Sequence, residues 1–191
     1  MRELSLHLLD IAENSIAAGA KTIRIFIGED STLDRLQMSV EDDGLGMSAE
    51  MVARVTDPFI TTRTTRKVGL GIPLLKFAAD SCNGYFEIES EEGKGTKLLV
   101  EFQRSHIDRM PMGDLVSTIL QLVISHQEIH WIFEYMFDGK LAVFDDAQFK
   151  EELGDIPMTE PDILGFLKEM IKSMIIETNP QFMQDTITIQ N

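Results

Sequence analysis

Three short stretches of the sequence carry polar residues whose types and spacing can do chemistry. In the first, Asp10 and Asn14 lie four residues apart in a segment of helical periodicity, so their side chains share a face with His7. Glu13 is rotated by about 100° from Asn14 and points elsewhere. A carboxylate and a carboxamide one turn apart suit a hydrated magnesium ion and can orient a water or a hydroxyl. The second stretch, Val40-Glu41-Asp42-Asp43-Gly44-Leu45-Gly46-Met47, runs from a strand into a tight turn. A carboxylate there suits the exocyclic amine of adenine, and the glycines let backbone approach a flat ring. The third runs from Asp57 to Gly71, with Arg63, Arg66 and Lys67 clustered before Gly69-Leu70-Gly71. Glycines ahead of a helix expose backbone N–H groups and a positive dipole end, which hold phosphates. Taken singly, each stretch also fits a solvated helix face, a common turn or a plain polar loop.

The elements that must position these residues follow from periodicity. Glu3 to Ala18 places Leu4, Leu8, Ile11 and Ser15 at helical spacing, with Leu9, Ala12 and Ile16 widening the stripe and Gly19 ending it. Thr22–Ile27 and Leu36–Val40 read as strands, followed by a short helix. Gly71–Ser81 reads as a helix, and Tyr85–Glu89 and Lys97–Phe102 as strands again. Consecutive strands joined by short turns predict an antiparallel or mixed sheet with helices on one face, an α/β (α+β) two-layer sandwich. The order is not the strand–helix alternation of a dinucleotide-binding fold.

Composition excludes several classes of function. The 191 residues are 43% hydrophobic and 26% charged, a globular balance, and the net charge of -15 repels nucleic acid and anionic membrane surfaces. One cysteine, Cys82, allows neither a disulfide framework nor a four-thiolate metal site. With no secretory signal pattern or long apolar run, the expected location is cytoplasmic. Residues 1–104 hold 12 basic and 17 acidic residues and residues 105–191 hold 5 and 15, so a boundary is expected at residue 104, ahead of Pro111.

Together the stretches resemble the ATP-binding domain shared by histidine kinases, DNA gyrase B, the heat-shock chaperone and MutL. Leu8-Leu9-Asp10-Ile11-Ala12-Glu13-Asn14-Ser15-Ile16-Ala17-Ala18-Gly19-Ala20 resembles the N box, and Glu41 to Met47 the Asp-Asn/Asp-Gly-x-Gly box. Asp57-Pro58-Phe59-Ile60-Thr61-Thr62 followed by Gly69-Leu70-Gly71-Ile72 resembles the F box and second glycine box of histidine kinases. Gly93-Lys94-Gly95-Thr96-Lys97-Leu98 resembles the closing Gly-x-Gly-Thr segment. Four boxes in order are far more specific than any one of them.

The resemblance implies a Bergerat-type ATP-binding fold over residues 1–104 and a role for each matching residue. Asn14 would ligand the magnesium that bridges the phosphates, and Asp10 stands where relatives keep a glutamate as general base. Asp42 would accept from the adenine amine, with Gly44 and Gly46 shaping the pocket floor. Thr62, Arg63, Lys67, Gly69, Leu70 and Gly71 would surround the phosphates, and Thr96 would help bind adenine. Three departures stand out. The base is an aspartate, one methylene shorter. Lys67 occupies a position where the second glycine box begins with glycine. Residues 105–191 are too few for the second domain that supplies a catalytic lysine in MutL and gyrase.

Residues 105–191 are expected to form a mainly helical extension. Gly113–Asp138 reads as one long helix, Leu141–Phe144 as a short strand, and Pro161–Glu177 as a second helix with Thr159 as its N-cap. On the long helix, His126, His130 and Glu134 would stack at four-residue spacing, a geometry that admits a metal or a phospho-accepting histidine, although a structural or interfacial helix explains it more simply. The methionines of this part suit a core or an adaptable partner surface.

The expected function is that of a freestanding Mg-ATP-binding protein that acts on a partner protein as a kinase or slow ATPase, as anti-sigma-factor serine kinases do. The alternative is an ATP-gated interaction protein with negligible turnover. The partner is unidentified; a homodimer fits, and nucleic acid and membrane do not.

Overall fold

The computed structural model describes residues 3–55, 71–154 and 156–182. Its centre is a six-stranded sheet in the order β3-β4-β2-β1-β5-β6. These are β1 (Thr22–Asp30), β2 (Arg35–Asp42), β3 (Tyr85–Glu91), β4 (Gly95–Gln103), β5 (His130–Phe137) and β6 (Lys140–Asp145). β1 and β5 run parallel, and every other neighbouring pair is antiparallel. The described helices are α1 (Leu4–Ala17), α2 (Ala49–Arg54), α3 (Gly71–Ser81), α4 (Leu115–Ser125), α5 (Asp146–Leu153) and α6 (Pro161–Thr178). Among them none is long and apolar enough to cross a membrane.

Alternation along the strands dictates the layers. Ile23, Ile25 and Ile27 of β1, Leu36, Met38 and Val40 of β2, and Leu98, Val100 and Phe102 of β4 are all buried. Their neighbours in sequence, including Arg24, Glu41 and Lys97, lie exposed on the other face. The buried set meets Leu4, Leu8, Ile11 and Ala12 of α1, Leu75 and Ala79 of α3, Leu115, Ile119 and Leu122 of α4, and Leu167, Ile171 and Ile175 of α6 in one core. The expected sandwich with a mixed sheet is therefore observed.

The long helix expected over Gly113–Asp138 is corrected. The chain leaves α4 at His126, turns, and enters β5. Trp131, Phe133 and Tyr135 alternate with His130, Ile132 and Glu134, and this aromatic, period-2 pattern buries the odd positions on the core. Asp138 and Gly139 both have positive φ, 47° and 81°, and close β5 onto β6 in a two-residue turn. The same strand joins the second part of the chain to the first: β5 pairs with β1 from Thr22↔His130 to Glu29↔Phe137, so the sheet continues through the charge boundary at residue 104. The N-cap of α6 is Glu160 rather than Thr159, with Pro161 at the first helical position.

A buried polar cluster pins the join. Glu29 accepts from Tyr135 Oη at 2.8 Å and pairs with Arg104 Nε at 2.8 Å, while Asn179, fully buried just beyond α6, donates to Tyr135 Oη at 3.1 Å. A strand of the first part, the connecting residue and the last helix thus meet at one phenol.

Candidate nucleotide site

α1 is an amphipathic helix whose flank, rather than its core stripe, carries the chemistry. Asp10 and Asn14 are half-buried, whereas Glu13 is exposed and faces α4, its Oε1 lying 3.8 Å from His126 Nε2. The carboxylate of Asp10 lies against Gly71, the first residue of α3, where a Cβ would overlap Asp10 Oδ2. A side chain there would displace the Asp10 carboxylate, and the acid sits at the electropositive end of an 11-residue helix. The start of α1 has no side-chain cap. Its Leu4 and Ser5 N–H groups donate to the carbonyls of Pro111 and Met112, each at 2.9 Å, so the second part of the chain caps the helix that carries the site.

The second wall is the turn after β2. Ser15 Oγ donates to Asp42 Oδ2 at 2.6 Å, and the Gly44 N–H donates to Asp42 Oδ1 at 2.9 Å. Asp43 does something else: its Oδ1 accepts from the Lys21 and Thr22 N–H groups at 2.6 and 2.9 Å. Burial alone would push the Asp43 carboxyl up, yet these backbone donors hold it below its ordinary range. The first acid of the pair turns toward Ser15 of α1 and the second ties β1 to the turn.

The third wall is the turn between β3 and β4. Gly46, at φ 64°, lies so close to the Glu91 carbonyl that a Cβ would overlap it, and Gly95, at φ 107°, approaches the Asp42 carbonyl in the same way. Thr96 is the register partner of Asp42. Ser90 Oγ donates to the Gly95 carbonyl, accepts from the Met47 N–H and lies 2.8 Å from Thr96 Oγ1. Its single proton is committed to Gly95, so Thr96 is the donor between them.

The structure thus brings together Asp10, Asn14, Asp42, Gly44, Gly46, Gly71 and Thr96 from α1, the β2 turn, β4 and α3. Thr62, Arg63, Lys67, Gly69 and Leu70 lie outside the described residues. Two positioning residues were not singled out from sequence, Ser15 and Ser90. Ser15 had a visible signal, a hydroxyl on an otherwise apolar stripe; Ser90 signals itself only once strand register sets it opposite Thr96.

The stacked His126, His130 and Glu134 do not exist, because no helix carries them. His126 caps α4 and accepts from Trp131 Nε1 through its carbonyl, His130 Nε2 lies 2.7 Å from Asp145 Oδ1, and Glu134 pairs with Arg24. Burial would raise Asp145, but hydrogen bonds from His130 and the Ala147 N–H keep it low. His130, Asp145 and Asp146 approach one another, yet Asp146 is taken up by the Trp131 N–H and by Lys150.

With this geometry in view, comparison with known proteins is informative. Residues 2–106, more than half of the chain, match the family described as histidine kinase-, DNA gyrase B-, and HSP90-like ATPase, and the chain belongs to that family. It is 31% identical over 119 residues to the non-motile and phage-resistance protein of Caulobacter vibrioides, a match covering 58% of this chain and 14% of that protein. It is 32% identical over 94 residues to sporulation kinase C of Bacillus subtilis, covering 49% of this chain and 22% of the kinase. The N-terminal domain of a DNA repair protein superposes with a TM-score of 0.52 at 16% identity, over 75% of this chain and 52% of that one, a likeness of fold. The chain corresponds to less than a quarter of either curated relative's length.

Proposed function

We propose that the chain binds Mg-ATP between α1, the β2 turn, the start of β4 and the first residue of α3, and that it serves as a regulatory kinase or slow ATPase directed at a partner protein. The observation that carries this reading is Asp42. Each of its oxygens accepts one fixed hydrogen bond, the group is only half-buried, and Thr96 stands opposite in register. A carboxylate oxygen has a second acceptor site, so Asp42 is oriented and still able to receive an adenine amine.

Magnesium fits the donor set. Asn14 and Asp10 present oxygen atoms one turn apart, the ligand type that this ion takes, and the missing Cβ of Gly71 lets the Asp10 carboxylate lie against the start of α3. Asn14 would hold the ion, whose charge offsets that of the phosphates when bound. Asp10 accepts the proton of an attacking water or partner hydroxyl, and the N–H groups at the start of α3 provide positive potential. Arg63, Arg66 and Lys67 precede that end in the sequence. Phosphoryl transfer needs mainly such positioning and charge neutralisation.

One observation favours a second reading, an ATP-gated interaction protein with negligible turnover. Pro111 and Met112 cap α1 directly, so a nucleotide-induced shift of that helix reaches the second part of the chain through two backbone hydrogen bonds. The partner is then a different protein or a second copy of the chain. Calorimetry with Mg-ATP, followed by labelled-ATP turnover with and without candidate partners, tests both. Micromolar to millimolar binding with turnover supports the first reading. Binding without turnover, but with nucleotide-dependent partner affinity, supports the second. No binding overturns both.

A further inference from the structure

His7 is 2% exposed, and its Nδ1 has no hydrogen-bond partner among the described residues. An unpaired buried polar atom is unfavourable, and a leucine would fill an α-helical core position without that cost. The histidine therefore calls for an explanation other than packing. It lies one turn before Asp10 on α1, which packs on α3. Burial pushes the imidazole below its ordinary range, while Asp10 and a hydrogen bond with the Gly71 backbone pull the other way. Gly71 is the same residue whose absent Cβ makes room for the Asp10 carboxylate.

We propose that His7 is a positioning residue for Asp10, holding the first residue of α3 against α1 so that the carboxylate is aimed at the reacting proton. The inference rests on the reading of Asp10 as the general base. An aspartate has a single methylene between backbone and carboxylate, so its oxygens reach only a small volume. Its placement depends on the gap between α1 and α3 being held constant. His7 is buried and interacts with the Gly71 backbone, and Gly71 is the residue in contact with the base. A displacement of about 1 Å at such a site is enough to cost up to about 100-fold in rate.

The test compares His7→Leu, His7→Gln and Asp10→Asn, alone and combined, in the full chain with Mg-ATP. His7→Leu is expected to keep or raise Tm, because it removes an unpaired buried atom. It should leave ATP affinity and KM within about threefold and lower kcat by about 10- to 100-fold. His7→Gln, which keeps a hydrogen-bonding group, should recover part of the loss. In the Asp10→Asn background His7→Leu should cost nothing further. A loss that persists at full size in that background overturns the proposal, as does a fall in Tm with weakened ATP binding, which would make His7 structural. Turnover that Asp10→Asn removes and His7→Leu spares overturns the proposal and leaves Asp10 as base. A wild-type chain without turnover overturns both.

Discussion

The residues before Arg104 and those after it use buried polar groups in opposite ways. In the first part, Ser15, Asp42, Ser90 and Thr96 are held by one another and by backbone, yet Asp42 and Thr96 remain only half-buried. In the second, Tyr135, Asn179, Asp146 and Trp131 are at most 2% exposed, and their polar atoms bond inward to Glu29, to one another, to the backbone or, as an ion pair, to Lys150. The first arrangement leaves acceptor capacity facing outward, as a ligand site must. The second spends it on joining β5 and α6 to the sheet. Buried polarity alone therefore does not mark a ligand site; what sets Asp42 apart is unused acceptor capacity on a half-buried carboxylate.

The sharpest way to break this contrast is at Asp10. Asp10→Asn should leave ATP affinity within a few-fold and lower turnover by about 10²- to 10⁴-fold, the usual contribution of a positioned general base. Single-turnover kinetics with labelled ATP measure it. Unchanged turnover would move the chain to the gating reading, since closure around a nucleotide needs no proton acceptor.

The neighbouring acids Asp42 and Asp43 sharpen it further. Asp42→Asn should weaken ATP binding by about 1–3 kcal/mol, because a charged acceptor for a buried amine is lost. Asp43→Asn should leave ATP affinity nearly unchanged and show its effect in the acid limb of stability. The folded Asp43 carboxyl lies below its unfolded value, so its contribution is present above about pH 4 and disappears as pH falls through the lower folded value. Calorimetry and urea melts between pH 3 and 7 separate the two. Equal losses of affinity would mean that the wrong acid has been assigned to the cleft.

How far sequence reading carried differs between the two parts for a physical reason. α1, β1, β2, α3, β3 and β4 all lie where periodicity set them, because each element is one-sided and its period is clear. Asp10 and Asn14 share a flank of α1 by local helix spacing, whereas the link of α1 to Asp42 through Ser15 and of Asp42 to Thr96 through strand register is tertiary, and was legible only through the resemblance carried by the boxes together. β5 escaped because Leu115 to Ile132 is apolar at spacings that a helix also satisfies, and the strand signal lies in the aromatic alternation and the Asp138-Gly139 turn beyond it. The cluster at Tyr135 was invisible for a further reason: the parallel pairing of β1 with β5 brings Glu29 to Tyr135, and the ends of β4 and α6 bring Arg104 and Asn179, none of which a local pattern specifies.

That cluster gives the second part its own test. Tyr135→Phe should destabilise the fold by roughly 1–2 kcal/mol, by leaving Glu29 Oε1 and Asn179 Nδ2 short of a partner, with little change in ATP affinity. Burial, with the Glu29 charge, raises the Tyr135 phenol above its ordinary value of about 10. A raised folded value means stability that is full below about pH 10 and declines as pH rises further, since the unfolded phenol ionises first. Denaturant melts from pH 8 to 11 should show that decline in the wild type and a shallower one in Tyr135→Phe. A large loss of ATP affinity in this variant would erase the distinction between the two parts.

The smallest expected effect lies on α1 itself, where one residue separates the two uses of polarity. Asn14 is half-buried on the Asp10 flank, and Asn14→Ala should abolish the dependence of ATP binding on magnesium. Glu13 is the adjacent residue, but the helix turns its carboxylate toward His126 of α4, 3.8 Å away, with 46% of the side chain exposed. Exposed pairs of this kind contribute at most about 1 kcal/mol. Glu13→Ala should therefore lower Tm by about 4 °C at most, in line with such a loss, and leave both ATP affinity and its magnesium dependence intact. Calorimetry with and without magnesium on the two variants reads this directly. A magnesium effect lost in Glu13→Ala and kept in Asn14→Ala would rotate the helix by one residue, and with it every role assigned to its polar face, Asp10 and His7 included.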